Sequence, residues 1–271
     1  MAPRVRGRIV TLTSDVGAAY SAQMKAVLAR SVDTGRIVEL AHDLPAHGVA
    51  EAAFLLRAMA HGFPAGTVHV AVVDPGVGGR RAALAIDCSE GSVLIGPDNG
   101  LLLPLADHLG MKRAYALGPS PPGRVGTTFD GRDLFAPAAA RIANGARPSM
   151  LGRPVRPVRL RLPEPRRRPR GATGTVVHVD RFGNLITDVP TEWVPPSATR
   201  LSVQLARTRR SVPWVSHYEA VPSRGTGALG SSFGTVELFV REGRAADHLP
   251  VGVGTRVDVG WSSPRRARPN R

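Results

Sequence analysis

The chain has 271 residues, of which 42% are hydrophobic and 21% charged, and 30 glycines and 24 prolines interrupt it. This composition is typical of a globular protein and excludes a coiled coil or a fibrous protein, because so many turn-forming residues allow only short elements. The length favours two domains over one. The formal net charge of +15 makes nucleic acid the first partner to consider.

The excess charge lies in three segments. Residues 1–8, 153–170 and 262–271 carry net charges of +3, +7 and +4, so the rest of the chain is close to neutral. We therefore interpret the basic segments as solvated tails and a linker, which argues against a nucleic-acid partner. A contact between these segments and a polyanion is the alternative.

The apolar runs and the single cysteine bear on the location of the chain. No apolar run approaches the roughly 18 residues that a membrane span needs, and the N-terminus lacks the pattern of a signal peptide. We expect no membrane contact and a cytoplasmic protein. Cys88 cannot form an internal disulfide, and its place at the end of an apolar run predicts a buried residue rather than a nucleophile.

The first half of the chain alternates predicted strands and helices. In chain order these are a strand at 8–13, a helix at 21–29, a strand at 37–40, a helix at 49–60 and a buried strand at 67–73. Repeated strand–helix units predict an α/β domain over residues 1–151 with a mainly parallel sheet. Reactive residues of such domains gather at the carboxyl ends of the strands.

The second half has a different pattern. Residues 152–170 contain five prolines and predict an extended connector. Short strand-like runs divided by glycine and proline follow, for example 236–240, and they predict a smaller all-β domain over residues 171–262. A basic tail at 263–271 ends the chain.

Polar clusters after the predicted strands are the best candidates for a functional site. The sequence contains no metalloprotease, phosphate-loop or nucleophile-elbow motif, and its eight histidines form no ligand-like cluster, so we predict no bound metal. The clusters lie at 13–17, 73–78, 96–100, 129–133 and 180–184. Each alone fits a turn, but five turns with aspartate indicate a site for a ligand rich in hydroxyl, amine and purine groups.

In their order and spacing these clusters resemble the family of S-adenosylmethionine (SAM) hydroxide adenosyltransferases, which are related to the fluorinase and chlorinase enzymes. The resemblance runs from about residue 8 to 258 and is most specific at 72–78 and 131–140. It implies an α/β N-terminal domain, a β-barrel-like C-terminal domain, and a homotrimer with active sites between subunits. The implied reaction is displacement at the ribose 5′ carbon of SAM by water or hydroxide, which yields adenosine and L-methionine with no cofactor besides this substrate.

The resemblance also implies which residues bind the substrate. Asp15 matches the carboxylate that grips both ribose hydroxyls, and Asn184 matches the amide that reads the adenine edge. Asp180 and Ser232 match residues near the amino-acid end of the substrate. Phe182 could pack on adenine, and a core aromatic is the alternative interpretation.

The catalytic residues implied by the resemblance are Asp74, Arg81 and Asp130. Asp74 and Arg81 match an Asp-Arg-His set that holds the attacking water, and a structural ion pair is the alternative. Halide enzymes have tyrosine at the place of Asp74, where a carboxylate would repel the halide. Asp130 takes the place of the histidine. It either shares a proton with Asp74 and donates to the water, or weakens or inactivates the site.

Two further positions depart from the family pattern. Ala18 stands near the place of an aspartate that binds the methionine ammonium, and Arg241 stands where the family has asparagine. Together with Asp130, these departures keep a non-catalytic SAM-binding or adenosine-binding protein as the alternative to a SAM hydrolase. A SAM-dependent halogenase is a weaker alternative.

Overall fold

The computed structural model describes residues 7–118, 128–249 and 251–261 and divides into two compact units, Met1–Arg161 and Leu162–Arg271. The boundary falls inside the stretch that the sequence assigns to a connector. The basic tail predicted at 263–271 lies outside the described residues. Across the described part of the chain, the helices are too short or too polar to cross a membrane.

The first unit alternates strands and helices. Its elements are β1 (Val10–Ser14), α1 (Gly17–Leu28), β2 (Ile37–Ala41), α2 (Val49–Ala60), β3 (Val68–Val72), β4 (Ala83–Cys88), β5 (Val93–Pro97), α3 (Leu103–His108), β6 (Met111–Leu117), α4 (Ala136–Ala143) and β7 (Gly152–Val155). A turn of π-helix, Gly131–Phe135, leads directly into α4. The five elements predicted from the sequence over residues 8–73 are confirmed.

The seven strands of the first unit form one mixed sheet in the order β2-β1-β3-β5-β4-β6-β7. The pairs among β2, β1, β3 and β5 are parallel, whereas β4, β6 and β7 pair antiparallel. The prediction of a mainly parallel sheet is therefore correct for one half only. The reason is the length of a connection: only residues 89–92 join β4 to β5, and a parallel pair needs a crossover of a dozen residues or more.

Strands β1 and β3 are neighbouring interior strands of this sheet and are buried along their whole length. Helices α1 and α4 pack on the sheet through Met24, Leu28 and Ile142, and Phe135 joins the same core. Cys88 at the end of β4 is fully buried, as predicted, and burial raises the pKa of its thiol to about 12. The core thus holds the ends of β1 and β3 in fixed positions beside each other.

The second unit is built from antiparallel strands and one short helix. These are β8 (Arg166–Arg168), β9 (Gly171–Val179), β10 (Leu185–Pro190), β11 (Arg200–Leu205), β12 (Thr208–Pro213), β13 (Thr226–Gly230), β14 (Thr235–Val240), α5 (Ala245–His248) and β15 (Arg256–Trp261). The strand order is β12-β11-β15-β9-β10-β14-β13, with β8 added to β9. An isolated bridge between Trp214 and Ala228 links the two ends of this order. The sheet is therefore a nearly closed barrel, which confirms the barrel-like prediction.

Candidate active site

A cleft of about 330 Å³ opens in the first unit where β1 and β3 end. Its lining includes Asp15, which follows β1, Asp74, which follows β3, and Asp130, which precedes the π-helical turn. Strands β1 and β3 are parallel neighbours, so residues beyond their carboxyl ends meet at one edge of the sheet. The size is within the range of small-molecule sites. Three of the carboxylates singled out in the sequence thus share one cavity.

Asp74 and Asp130 are joined through Arg81. The Arg81 Nε atom donates to both carboxylate oxygens of Asp74, at 3.1 and 2.9 Å, and Nη2 donates to Asp74 Oδ2 and to Asp130 Oδ2. All three side chains are largely buried, with exposed fractions of 4% for Asp74, 6% for Asp130 and 14% for Arg81. The charges therefore interact with little screening by water.

The surroundings of Arg81 keep it charged. Burial alone would lower the pKa of its guanidinium, but the hydrogen bonds and charges of Asp74 and Asp130 outweigh this effect and raise the pKa above its ordinary value. The guanidinium carbon also lies 5.6 Å from the centroid of the Phe135 ring. A permanent cation thus stands between the two carboxylates.

Backbone groups contact Asp15, which also lines the cleft. The His47 N–H donates to Asp15 Oδ2 at 3.2 Å, and the Asp15 N–H donates to the Val72 carbonyl at 3.3 Å. His47 has a φ of +63°, a left-handed conformation that residues other than glycine seldom adopt and that often marks functional sites. The conformation of this loop therefore favours one orientation of the Asp15 carboxylate.

His42 and His47 contact the segment that holds Asp15, and the sequence analysis did not predict these contacts. The backbone N–H of His47 donates to Asp15, and His42 Nδ1 lies 2.8 Å from Ser14 Oγ. His42 follows β2 as Ser14 ends β1, and the parallel pairing of these two strands brings the two positions together.

The other predicted site residues lie in the second unit, mainly in the turn between β9 and β10. Asp180 Oδ1 accepts from the backbone N–H groups of Phe182 and Asn184, at 2.9 and 2.8 Å, and Oδ2 accepts from Asn184 Nδ2 at 3.1 Å. Asn184 is buried, whereas Phe182 is 67% exposed. The interpretation of Phe182 as a core aromatic is therefore wrong.

Ser232 is exposed in the turn between β13 and β14. In the β10–β14 ladder, Leu185 pairs with Leu238 and Pro190 pairs with Thr235, so Ser232 and Asn184 lie beyond opposite ends of this ladder. Within this unit the structure thus does not bring Ser232 to Asp180 and Asn184. Arg241, the departure after β14, donates to the Val221 carbonyl at 3.0 Å.

Both units match one protein family. Residues 10–152 match the model of the SAM hydroxide adenosyltransferase N-terminal domain, and residues 174–258 match that of the C-terminal domain. The chain belongs to the SAM hydroxide adenosyltransferase family. The resemblance identified in the sequence is confirmed.

Relatives of this chain include proteins named (R)-S-adenosyl-L-methionine hydrolase. That of Salinispora arenicola (strain CNS-205) is 38% identical over 261 residues, which cover 92% of this chain and 97% of the relative. That of Thermus thermophilus is 37% identical over 263 residues, covering 92% and 98%. A fluorinase from Actinopolyspora mzabensis is 26% identical over 212 residues, covering 67% and 71%. The two hydrolases are thus more similar to this chain than this fluorinase is.

Two solved structures share the fold. An uncharacterized conserved protein from Thermotoga maritima superposes with a TM-score of 0.86 at 25% identity, covering 93% of this chain and 100% of the other. A conserved hypothetical protein from Thermus thermophilus gives a TM-score of 0.76 at 34% identity, covering 93% and 99%. Among the described residues of this family member, no group of three histidine, cysteine or carboxylate side chains is arranged to hold a metal ion.

Proposed function

We propose that the chain is a SAM hydrolase, which transfers the adenosyl group of SAM to water or hydroxide and releases adenosine and L-methionine. The observation that carries this proposal is the buried Asp74–Arg81–Asp130 cluster on a cleft that also contains Asp15. The hydrolases that align over nearly the whole chain support the same reaction.

In the proposed reaction a water oxygen attacks the ribose 5′ carbon while the bond from that carbon to sulfur breaks. The bonding electrons leave with the methionine sulfur, and the proton of the water passes to Asp74 or to solvent. The sulfonium is already a good leaving group, so the protein has only to position and partly desolvate the water. Asp74 accepts a hydrogen bond from it, and Arg81 holds Asp74 in place.

We further propose that Asp15 accepts hydrogen bonds from both ribose hydroxyls and that Asn184 reads the adenine edge. The exposed ring of Phe182 is available to pack on adenine. Asp180 accepts three hydrogen bonds within its own turn, and a carboxylate has about four acceptor sites. One site therefore remains for the substrate ammonium, whereas a role of Ser232 at the amino-acid end of the substrate stays a prediction from the family resemblance.

The assembly and location also belong to the proposal. We expect a homotrimer with active sites shared between subunits, located in the cytoplasm. The domain limits of 1–151 and 171–262 remain predictions, as does the interpretation of 263–271 as a solvated basic tail. Sedimentation of the purified chain at several concentrations measures the oligomeric state.

The reaction is tested by incubating the purified protein with SAM in ¹⁸O-labelled water. We expect adenosine that carries ¹⁸O on its 5′ carbon, with an equal amount of methionine, and far less product from Asp74→Ala. A 5′-halo-adenosine formed in excess chloride or fluoride would instead identify a halogenase. Calorimetric binding of SAM without any product would identify a non-catalytic binding protein.

A further inference from the structure

Four polar side chains contact one another in sequence, and the proposed reaction does not use them: Ser14, His42, Glu39 and Lys25. Ser14 Oγ lies 2.8 Å from His42 Nδ1, His42 Nε2 lies 3.3 Å from Glu39 Oε1, and Lys25 Nζ lies 2.7 Å from Glu39 Oε2. The exposed fraction rises along this chain, from a fully buried Ser14 to a Lys25 side chain that is 41% exposed. The chain thus runs from the surface to the residue that precedes Asp15.

The direction of the Ser14 hydrogen bond follows from the carboxylate. Among the described residues His42 Nε2 has no well-aligned hydrogen-bond partner, but the charge of Glu39 lies beside it. An ionised carboxylate is never a donor, so the proton of a neutral His42 belongs on Nε2, and Nδ1 accepts from the Ser14 hydroxyl. Burial lowers the pKa of His42, although the charge of Glu39 opposes this, which favours the neutral ring.

Backbone hydrogen bonds connect the same two segments. The Gly17 N–H donates to the His42 carbonyl at 2.8 Å, and the Leu44 N–H donates to the Ser14 carbonyl at 3.2 Å. The His47 N–H, a few residues further on, donates to the Asp15 carboxylate. Residues 42–47 and 14–17 are therefore fastened to each other on both sides of Asp15, and the Ser14–His42 contact is their buried side-chain link.

We propose that His42 and Ser14 are positioning residues, which fix the Asp15 loop so that its carboxylate faces the cleft in the orientation needed for two ribose hydroxyls. This inference rests on the proposed function. Glu39, held by Lys25, orients the His42 ring, and His42 orients Ser14. Loss of this contact leaves Asp15 in place in the chain but frees its loop, so substrate binding weakens more than the chemical step does.

The first unit offers a matched control. Thr11 Oγ1 lies 2.9 Å from His69 Nδ1, a buried hydroxyl–histidine contact on the same strand β1 as Ser14. Both residues are buried, and neither lines the cleft. A change at His69 therefore removes the same kind of interaction from the same sheet without touching the Asp15 loop.

The test measures kcat and KM for SAM, and the melting temperature, of the full-length variants. We expect Ser14→Ala and His42→Ala to raise KM about tenfold and to change kcat less than about twofold, the size of one lost hydrogen bond of moderate strength. Ser14→Thr keeps the hydroxyl and should restore KM to within about twofold of wild type. His69→Gln should lower the melting temperature and leave KM unchanged.

Two outcomes overturn the inference while the proposed function stands. In the first, Ser14→Ala and His42→Ala have the wild-type KM; in the second, His69→Gln raises KM as much as they do. A wild type that forms no adenosine overturns the proposed function instead. In that case the Kd for SAM of the wild type and of the same variants is measured by calorimetry. Weaker binding by Ser14→Ala and His42→Ala than by Ser14→Thr and His69→Gln supports the positioning role. Equal Kd values, or no binding at all, overturn the positioning role.

Discussion

Asp74 and Asp130 accept hydrogen bonds from the same nitrogen atom, Nη2 of Arg81. Asp74 follows strand β3, whereas Asp130 precedes the π-helical turn that leads into α4. A structural ion pair and a catalytic pair both fit the Asp74–Arg81 contact. The second carboxylate distinguishes this site from a simple ion pair, because one guanidinium group then binds two buried acidic side chains.

Arg81→Met tests how far the two carboxylates depend on the guanidinium. Removing one partner of a buried ion pair costs about 3–5 kcal/mol, because a buried charge is left uncompensated. We expect a loss of this size in the free energy of unfolding from urea titrations, and a smaller loss when Asp130→Asn is added. Arg159→Gln is the control, because its pair with Asp107 is exposed and should be worth less than about 1 kcal/mol. Equal losses would contradict burial as the cause.

Asp74→Asn separates charge from shape. The amide oxygen of asparagine still accepts from Arg81, but it cannot take a proton from water. We expect kcat for adenosine formation to fall about 10²–10⁴-fold, the usual contribution of a general base. Asp258→Asn, which changes a carboxylate bound to Arg256 in the barrel, should retain wild-type rates. A wild-type kcat in Asp74→Asn would show that Asp74 takes no part in the proton transfer.

Gly131→Ala tests the packing beside Asp130. A Cβ atom at Gly131 would lie 2.9 Å from Met24 Sδ and 2.9 Å from a ring carbon of Phe129. Overpacking of this kind costs about 1–3 kcal/mol, and the displaced turn carries Asp130 with it. We expect a lower melting temperature together with a lower kcat. At Gly62 an added Cβ meets no described atom within 4 Å, so Gly62→Ala should change neither.

His69 makes stability depend on pH. Burial lowers its pKa to about 4, against an ordinary value of 6.5. Above pH 6.5 the ring is neutral in both the folded and the unfolded chain, but between pH 6.5 and 4 the unfolded chain binds the proton first, so stability falls as the pH falls. At about 1.4 kcal/mol per pKa unit, the loss reaches about 3 kcal/mol. His69→Gln should reduce the difference between the unfolding free energies measured at about pH 7 and about pH 4.5. A difference as large as that of the wild type would show that His69 is not the cause of the pH dependence.

Cys88 should be inert in the folded chain. Its side chain is fully buried and burial raises its pKa to about 12, so almost no thiolate forms near neutral pH. We expect iodoacetamide at about pH 8 to leave the native protein unlabelled and to label it fully in guanidinium chloride, as measured by mass spectrometry. Labelling of the native protein within minutes would show that the end of β4 opens.

The elements of the first unit up to β3 follow from sequence periodicity, because fully buried strands and one-sided helices leave clear patterns. The direction of β4 was missed, although the short link at 89–92 was visible and excludes a parallel crossover to β5. The contact of Arg81 with Asp130 could not be predicted from local pattern, because it joins distant segments. Only the family resemblance named those two residues together.

The limits of sequence reasoning are clearest at Ser14 and His42. No motif links them, and neither residue type alone indicates a role. Their contact depends on the pairing of β1 with β2, which becomes visible only once the strand order is known. The turn at Asp180 was recognisable by its residue types, whereas the separation of Ser232 from it depends on the register of β10 and β14.

The two units occupy consecutive halves of the chain, and β7, the last strand of the first sheet, ends at Val155. No described strand of the barrel pairs with that sheet. Every strand of the first sheet is therefore synthesised before the first strand of the barrel. At about 5–20 residues per second, the rest of the chain takes several seconds or more to appear. The sheet that carries Asp15 and Asp74 thus needs no described strand of the barrel for its pairing, and it can form while the rest of the barrel is still being synthesised.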